Sequence, residues 1–274
     1  MNLDPVTLLS RVVQIAEQAG HLILSLVKET DSIDVRKKTD RTPVTAIDIA
    51  TNRFIVEQLS ALTADVLIVS EEENLVLPAG FHPRDDFWLV DPLDGTKGFI
   101  VGSPQYTVNI ALIRAGYPIL GVIYAPALSQ LYFAYAGGPS KARQGVIESS
   151  NAVVKATTPW RVVVSQFHNL DKLMADTPQY IGTESAQINS SLKFCVVAAG
   201  EYDLYPRLGR TSLWDTAAGQ IILEQAGGAV VDFNGKRLQY NLESGLLNPD
   251  FMAVGDRRII PDVRQFHANR RRPT

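Results

Sequence analysis

The chain has a single cysteine, Cys195, among its 274 residues. No intrachain disulfide can form, and Cys195 itself lies in an apolar run where it reads as a small packed hydrophobe. Long hydrophobic runs are missing too, and none approaches the ~20 residues that cross a bilayer. The N-terminus has no basic stretch leading into an uninterrupted apolar one, so no secretory leader is expected. Charge of one sign is also scarce: 26 Lys and Arg against 29 Asp and Glu leave a net charge of −3. Such a balance sets up no strong field for nucleic acid or an anionic membrane. The basic cluster Arg270-Arg271-Arg272 reads as a solvated tail. The expected partner is a small molecule, with no nucleic acid and no integral membrane association. The expected location is cytoplasmic, at most peripheral to the inner face of the membrane. G-x-S-x-G, H-E-x-x-H, C-x-x-C, Walker A and G-x-G-x-x-G are all absent. His21, His82, His168 and His267 are scattered and read as structural or exposed.

What is present begins with Trp88-Leu89-Val90-Asp91-Pro92-Leu93-Asp94-Gly95-Thr96. An apolar strand ends on one acid, turns through proline and delivers a second acid three residues later. Two carboxylates held this close repel each other unless a cation lies between them. Oxygen donors suit a hard cation such as Mg2+, and a Gly-Thr step offers backbone N–H groups and a hydroxyl to a phosphate. The alternative is that Asp91 and Asp94 only shape an Asx turn. Two further acidic sites stand at element ends. Ser70-Glu71-Glu72-Glu73 closes the apolar strand Val66–Val69, and Trp214-Asp215-Thr216-Ala217-Ala218-Gly219 opens a helix. Glu72 and Glu73 also read as solvated acids, and Asp215 as an N-cap.

Helical spacing of Leu8, Leu9, Val12, Ala16, Ala19, Ile23 and Leu26 predicts a first amphipathic helix. After a break at Thr42-Pro43, Ile47, Ala50, Phe54, Ile55 and Leu59 mark a second. Tyr106–Arg114, Ile119–Ala125 and Leu131–Tyr135 read as an antiparallel meander, with Ala115-Gly116-Tyr117-Pro118 as a hairpin connection. Past Gly137 the chain is polar to about Pro159. Beyond that the order is strand Arg161–Val164, helix near Leu170–Ala175, helix through Ser191–Ala199, strand Tyr202–Tyr205, helix Asp215–Gln225 and strand Ala229–Asp232. The division predicted is an α+β domain over 1–158 that carries the acidic motifs, and a smaller α/β domain over 159–274 that completes the site.

E-E, D-P-L-D-G-T and W-D-x-A-A-G, in this order, resemble the Mg2+-dependent, Li+-sensitive phosphatases related to inositol monophosphatase. Asp94-Gly95-Thr96-Lys97-Gly98-Phe99, Ser190-Ser191-Leu192-Lys193-Phe194-Cys195, Leu204-Tyr205-Pro206-Arg207 and Leu247-Asn248-Pro249 resemble the bacterial 3'(2'),5'-bisphosphate nucleotidases of that family. The resemblance runs from the first helix to Asn248. It implies a layered α-β-α-β-α sandwich with the site in a cleft between halves. It also implies removal of the 3'-phosphate of adenosine 3',5'-bisphosphate, a by-product of sulfate assimilation, by water that two or three Mg2+ ions activate. Glu71, Asp91 and the Leu93 carbonyl would hold the first ion, and Asp91, Asp94 and Asp215 the second. Gly95 and Thr96 amides would bind the scissile phosphate.

Val44-Thr45-Ala46-Ile47-Asp48 resembles the family segment whose acid pairs with the Thr of D-G-T, so Asp48, Thr96 and Glu71 are the catalytic candidates. Asp48 also reads as a helix-surface acid favoured by the dipole. Lys38 matches a family lysine, or is simply solvated in the Arg36-Lys37-Lys38 run. Lys193 and Arg207 would take a second phosphate, or stand at the cleft edge. Glu71, Leu93, Asp94, Gly95, Thr96 and Asp215 complete the expected substrate contacts. Two positions depart from the resembled pattern: Gly98 where D-G-T-K-E-F has an acid, and Asn189 where a Gly often precedes S-S-L-K-F. An inositol or sugar phosphatase, and a nucleotide-binding module without catalysis, are the alternatives.

Overall fold

The computed structural model describes residues 4–32, 43–165 and 184–264. Two helices come first, α1 (Pro5–Ser32) and α2 (Pro43–Leu62). A seven-stranded sheet follows in sequential order: β1 (Leu67–Ser70), β2 (Phe87–Asp94), β3 (Thr107–Arg114), β4 (Tyr117–Ala125), β5 (Gln130–Tyr135), β6 (Lys141–Gln144) and β7 (Ile147–Ser150). Short helix α3 (Thr96–Ile100) interrupts it after β2. β1 and β2 pair in parallel, and every later neighbour is antiparallel.

Side-chain alternation divides the large sheet between two cores. Trp88 and Val90 of β2, with Val108, Ile110 and Leu112 of β3, pack against α1 and α2. Phe87, Leu89, Ala111 and Ile113 point to the opposite face. Both faces are covered, so these strands read as continuous apolar runs rather than as alternation. The first helix buries the predicted Leu8, Val12, Ala16, Ala19 and Ile23. It lies so close that a Cβ on Gly20 would come within 2.4 Å of the Tyr124 ring.

On the opposite face lie α4 (Leu192–Ala198) and α5 (Ala217–Gln225). A second sheet packs behind them in the order β10 (Leu204–Arg207), β12 (Phe251–Val254), β11 (Ala229–Asp232). A small parallel pair, β8 (Val163–Val164) with β9 (Ala186–Gln187), extends this half. Trp160, Ile259 and Val263 cover the outer face of the second sheet. Helices, sheet, helices, sheet and a final helical stretch over 257–264 make the layered sandwich. Residues of both sheets share one core, which includes Val69, Phe87, Tyr205 and Phe251.

Several elements differ from the sequence prediction. The polar stretch after Gly137 contains β6 and β7; β7 is exposed along its whole length, so only its ladder, and no apolar pattern, marks it. β10 begins at Leu204 rather than Tyr202 because Asp203 instead accepts from Arg161, at 2.8 Å from Nη2. β12, the centre of the second sheet, is an unforeseen strand whose four residues are all buried. The hairpin before β4 closes on Ala115 and Gly116, with φ of 50° and 78°, as a tight two-residue turn requires. Pro118, placed in the connection, sits in β4 opposite Ile113 at a register shift. The predicted helix near Leu170–Ala175 lies outside the described residues, as do Lys38, His168, His267 and Arg270–Arg272.

Candidate active site

The acidic residues gather because strand ends bring them together. Glu71 directly follows β1, Asp91 and Asp94 lie in the second half of β2, and Asp215 precedes α5. In a regular strand Asp91 and Asp94 would point to opposite faces. The ladder instead shifts register between them, with Asp91 opposite Asn109 and Asp94 opposite Thr107. Pro92-Leu93 thus forms a bulge, which re-aims Asp94 toward the face of Asp91 and sits where proline's missing N–H is tolerated. Oxygens of Glu71, Asp91 and Asp215 lie within 4.8 Å of one another.

Asp91 is fully buried, and its Oδ1 accepts from the Leu93 amide at 3.1 Å. Among the described residues no donor reaches its Oδ2. Burial first, then the charges of Asp94, Glu71, Asp215 and Asp48, push its carboxyl well above the ordinary range. Asp215 is pushed up to about 7 by burial and by Asp94, although its Oδ2 accepts from the Ser212 amide at 2.8 Å. Glu71 stands exposed at the rim, yet desolvation against the cluster raises it as well. Asp48, on the buried side of α2, is pushed up to about 8 by burial, then by Glu72 and Glu71. Its Oδ1 also lacks a donor among the described residues.

Four carboxylates raised by desolvation, two of them (Asp48 and Asp91) with an oxygen that no donor reaches among the described residues, would destabilise the fold unless a cation lies among them. The donor set is all oxygen, which suits a hard divalent ion. These residues therefore fit a metal centre.

Asp94 is oriented differently. Its Oδ2 accepts from Ser191 Oγ (2.7 Å), Asn109 Nδ2 (3.3 Å) and, weakly, Thr107 Oγ1 (3.5 Å). Ser191 Oγ also lies 2.8 Å from the Asp215 carbonyl, within reach of both acidic segments. Asn109 donates to Ser191 Oγ at 2.9 Å. Neither Ser191 nor Asn109 was singled out as a site residue from sequence. Ser191 stood within a quoted motif, but nothing in the spacing joins it to Asp94.

Glu71, Asp91, Asp94 and Asp215 line a cavity of about 520 Å3, a size that suits a small-molecule ligand. Gly95, Thr96, Lys97, Lys193, Arg207 and Tyr205 also line it. Gly95 has φ 95° and starts α3, and its tight turn lies against Gln105 and Ser190. Thr96 Oγ1 donates to the Leu93 carbonyl at 3.1 Å. Lys193 is buried, hydrogen-bonded to the Ser190 carbonyl and 5.2 Å above the Tyr205 ring. Burial lowers its ammonium to about 8, against the opposing pull of Asp94. Arg207 Nε donates to Thr211 Oγ1 at 2.6 Å and Nη1 to Ser165 Oγ at 3.1 Å. Of the residues expected to act together, Glu71, Asp91, Asp94, Gly95, Thr96, Lys193, Arg207 and Asp215 share this cavity. Asp48 and Leu93 stand behind its lining, Asp48 facing Glu71 and Glu72.

Comparison with known proteins gives a consistent result. The model of the inositol monophosphatase family matches residues 4–267. The 3'(2'),5'-bisphosphate nucleotidase CysQ of Escherichia coli is 44% identical over 248 residues, covering 89% of this chain and 98% of that protein. CysQ of Salmonella typhimurium is 43% identical over 247 residues with the same coverage. The crystal structure of CysQ from Bacteroides thetaiotaomicron superposes with a TM-score of 0.78 at 31% identity, covering 91% of this chain and 98% of that one. Mycobacterium tuberculosis SuhB, at 22% identity and TM-score 0.74, shares the fold.

Proposed function

The chain belongs to the inositol monophosphatase family, and from that premise we propose that it is a 3'(2'),5'-bisphosphate nucleotidase using Mg2+. The substrate read from the site is adenosine 3',5'-bisphosphate, hydrolysed to AMP and phosphate. The observation that carries this reading is one cavity lined both by the carboxylate cluster and by Lys193 and Arg207. It is supported by 43–44% identity to CysQ proteins along nearly their whole length.

Glu71, Asp91 and the Leu93 carbonyl would hold one ion, and Asp91, Asp94 and Asp215 a second. When bound, the ions supply charge neutralisation on the phosphoryl oxygens and a lowered pKa for water. The protein positions the rest. Amides of Gly95 and Thr96 take the scissile phosphate at the start of α3. Thr96 Oγ1 spends its proton on Leu93 and keeps its lone pairs to accept from the attacking water. Asp48 does not take that proton in this geometry; with the ions bound it would be ionised, and it would polarise Thr96 Oγ1 and serve as the base only once that hydroxyl turns from Leu93 to donate to it. Lys193 and Arg207 bind the phosphate that is not cleaved, and so favour a bisphosphate over a monophosphate. No helix among the described residues is long and apolar enough to cross a membrane. We place the chain in the cytoplasm with a small nucleotide, not a nucleic acid, as partner.

The test is phosphate release from adenosine 3',5'-bisphosphate, inositol 1-phosphate and fructose 1,6-bisphosphate, with Mg2+ and then with EDTA. The expected result is a Mg2+-dependent preference for the nucleotide, inhibited by Li+. Preference for inositol 1-phosphate or the sugar phosphate would overturn the substrate and keep the metal centre. Undiminished release in EDTA would overturn the metal centre.

A further inference from the structure

The two departures noted in the sequence, Gly98 and Asn189, meet in the wall of the cavity. A Cβ on Gly98 would lie 2.7 Å from Asn189 Nδ2, 3.3 Å from its Cγ and 3.5 Å from Ser103 Cβ. Gly98 has no left-handed φ, unlike Gly95 at 95°, so its backbone does not demand glycine. A Cβ there would instead displace the Asn189 amide from its present position. Asn189 is only 4% exposed. Its backbone N–H donates to Gln105 Oε1 at 3.1 Å, and its Nδ2 to Ser103 Oγ at 3.4 Å. These bonds tie the approach to α4 to the loop that follows α3. The next residue, Ser190, holds φ at 56°, a conformation that L side chains rarely adopt. After it comes Ser191, which orients Asp94. Residues 189–191 thus run as a strap along the cavity between the phosphate turn and Lys193.

We propose that Gly98 and Asn189 are one specificity-determining unit. Glycine at 98 admits the Asn189 amide, which sets the width of this wall and offers the nucleoside part of the ester a neutral hydrogen-bonding group. An amide both donates and accepts, as ribose hydroxyls and ring nitrogens require. A side chain at 98 would expel it, and an acidic one would also turn a charge toward the phosphates. The nucleoside as ligand rests on the nucleotidase reading; the steric coupling of the two positions does not.

The test is a double-mutant cycle of Gly98→Ala, Asn189→Gly and the double variant. kcat and KM are measured with Mg2+ on adenosine 3',5'-bisphosphate and on β-glycerol phosphate, and thermal midpoints check folding. Gly98→Ala should lower kcat/KM for the nucleotide about tenfold, while the same change beside Asn189→Gly should cost under about threefold. Asn189→Gly, which relieves space and creates no clash, should lower kcat/KM several-fold more on the nucleotide than on glycerol phosphate, through KM. Equal effects of Gly98→Ala in both backgrounds would overturn the pair. A fall of the same size on both esters would overturn its role in specificity. If the wild type hydrolyses inositol 1-phosphate and not the nucleotide, the nucleotidase reading and the nucleoside ligand fall together. The cycle run on inositol 1-phosphate then decides the steric pair by itself.

Discussion

The acidic and the cationic groups that line the cavity are held on opposite principles. Among the acidic groups, Asp91 keeps an oxygen that no donor reaches among the described residues, and burial, then neighbouring charges, push Asp91, Asp215 and Glu71 upward. The cationic groups are already engaged: Arg207 donates to Thr211, Ser165 and the Arg210 carbonyl, and Lys193 rests on Ser190 and Tyr205. Phe194, Tyr205 and Phe251 form an aromatic cluster beneath Lys193 with centroids 5.3 to 5.9 Å apart. One set is left electrostatically unsatisfied and gains free energy when a cation enters. The other is pre-ordered, so an arriving phosphate meets groups that are already held in place. Binding of metal and of substrate therefore act on stability in different proportions.

The largest effect that would break this contrast is at Asp91. Asp91→Asn keeps an acceptor for the Leu93 amide but removes a charge from the cluster. It should cut turnover about a thousandfold or more, while the unfolding midpoint of the metal-free protein rises. Near-normal turnover, or a lowered metal-free midpoint, would mean that the acidic groups are not held under repulsion. Among the cationic groups, Arg207→Gln should raise KM for adenosine 3',5'-bisphosphate roughly ten- to a hundredfold. KM for adenosine 3'-monophosphate should move much less; equal shifts in steady-state kinetics would assign Arg207 to holding Thr211 and not to the second phosphate.

The smallest effect is a pH slope. Asp48 at about 8 and Asp215 at about 7 keep protons in the folded metal-free chain that the unfolded chain releases near 4. The folded state then binds more protons than the unfolded one, so stability falls as pH rises from about 4 to about 8 and levels beyond it. Thermal unfolding in EDTA should show that decline, and saturating Mg2+ should flatten it. A metal-free midpoint that climbs across this range would contradict the electrostatics of the acidic groups.

Legibility in the sequence follows the same division. D-P-L-D-G-T places two acids and the phosphate turn within a few residues, so strand, bulge and site are coded together. Glu71 and Asp215 were legible because each stands at the end of an apolar element. The buried face of α1 followed from periodicity, and Ala229–Asp232 from a short apolar run. β7 did not, since an edge strand exposed on both faces has no apolar pattern to read. Arg207 was legible only through the motif that resembles the family, since its place in the cavity lining depends on β10 pairing with β12, an element not foreseen.

By itself, then, the sequence determined the local chemistry: which carboxylates could share a cation, where the chain turns to meet a phosphate, and that no disulfide ties the fold. Only the tertiary structure decided which distant residues complete it. Ser191 reaches Asp94 across 97 positions, and Asn189 fills the space that Gly98 leaves empty. The reason is physical. Spacing along a strand is set by covalent geometry and survives in the order of residues, whereas a contact between layers depends on how several helices and two sheets pack, which no short stretch of chain encodes.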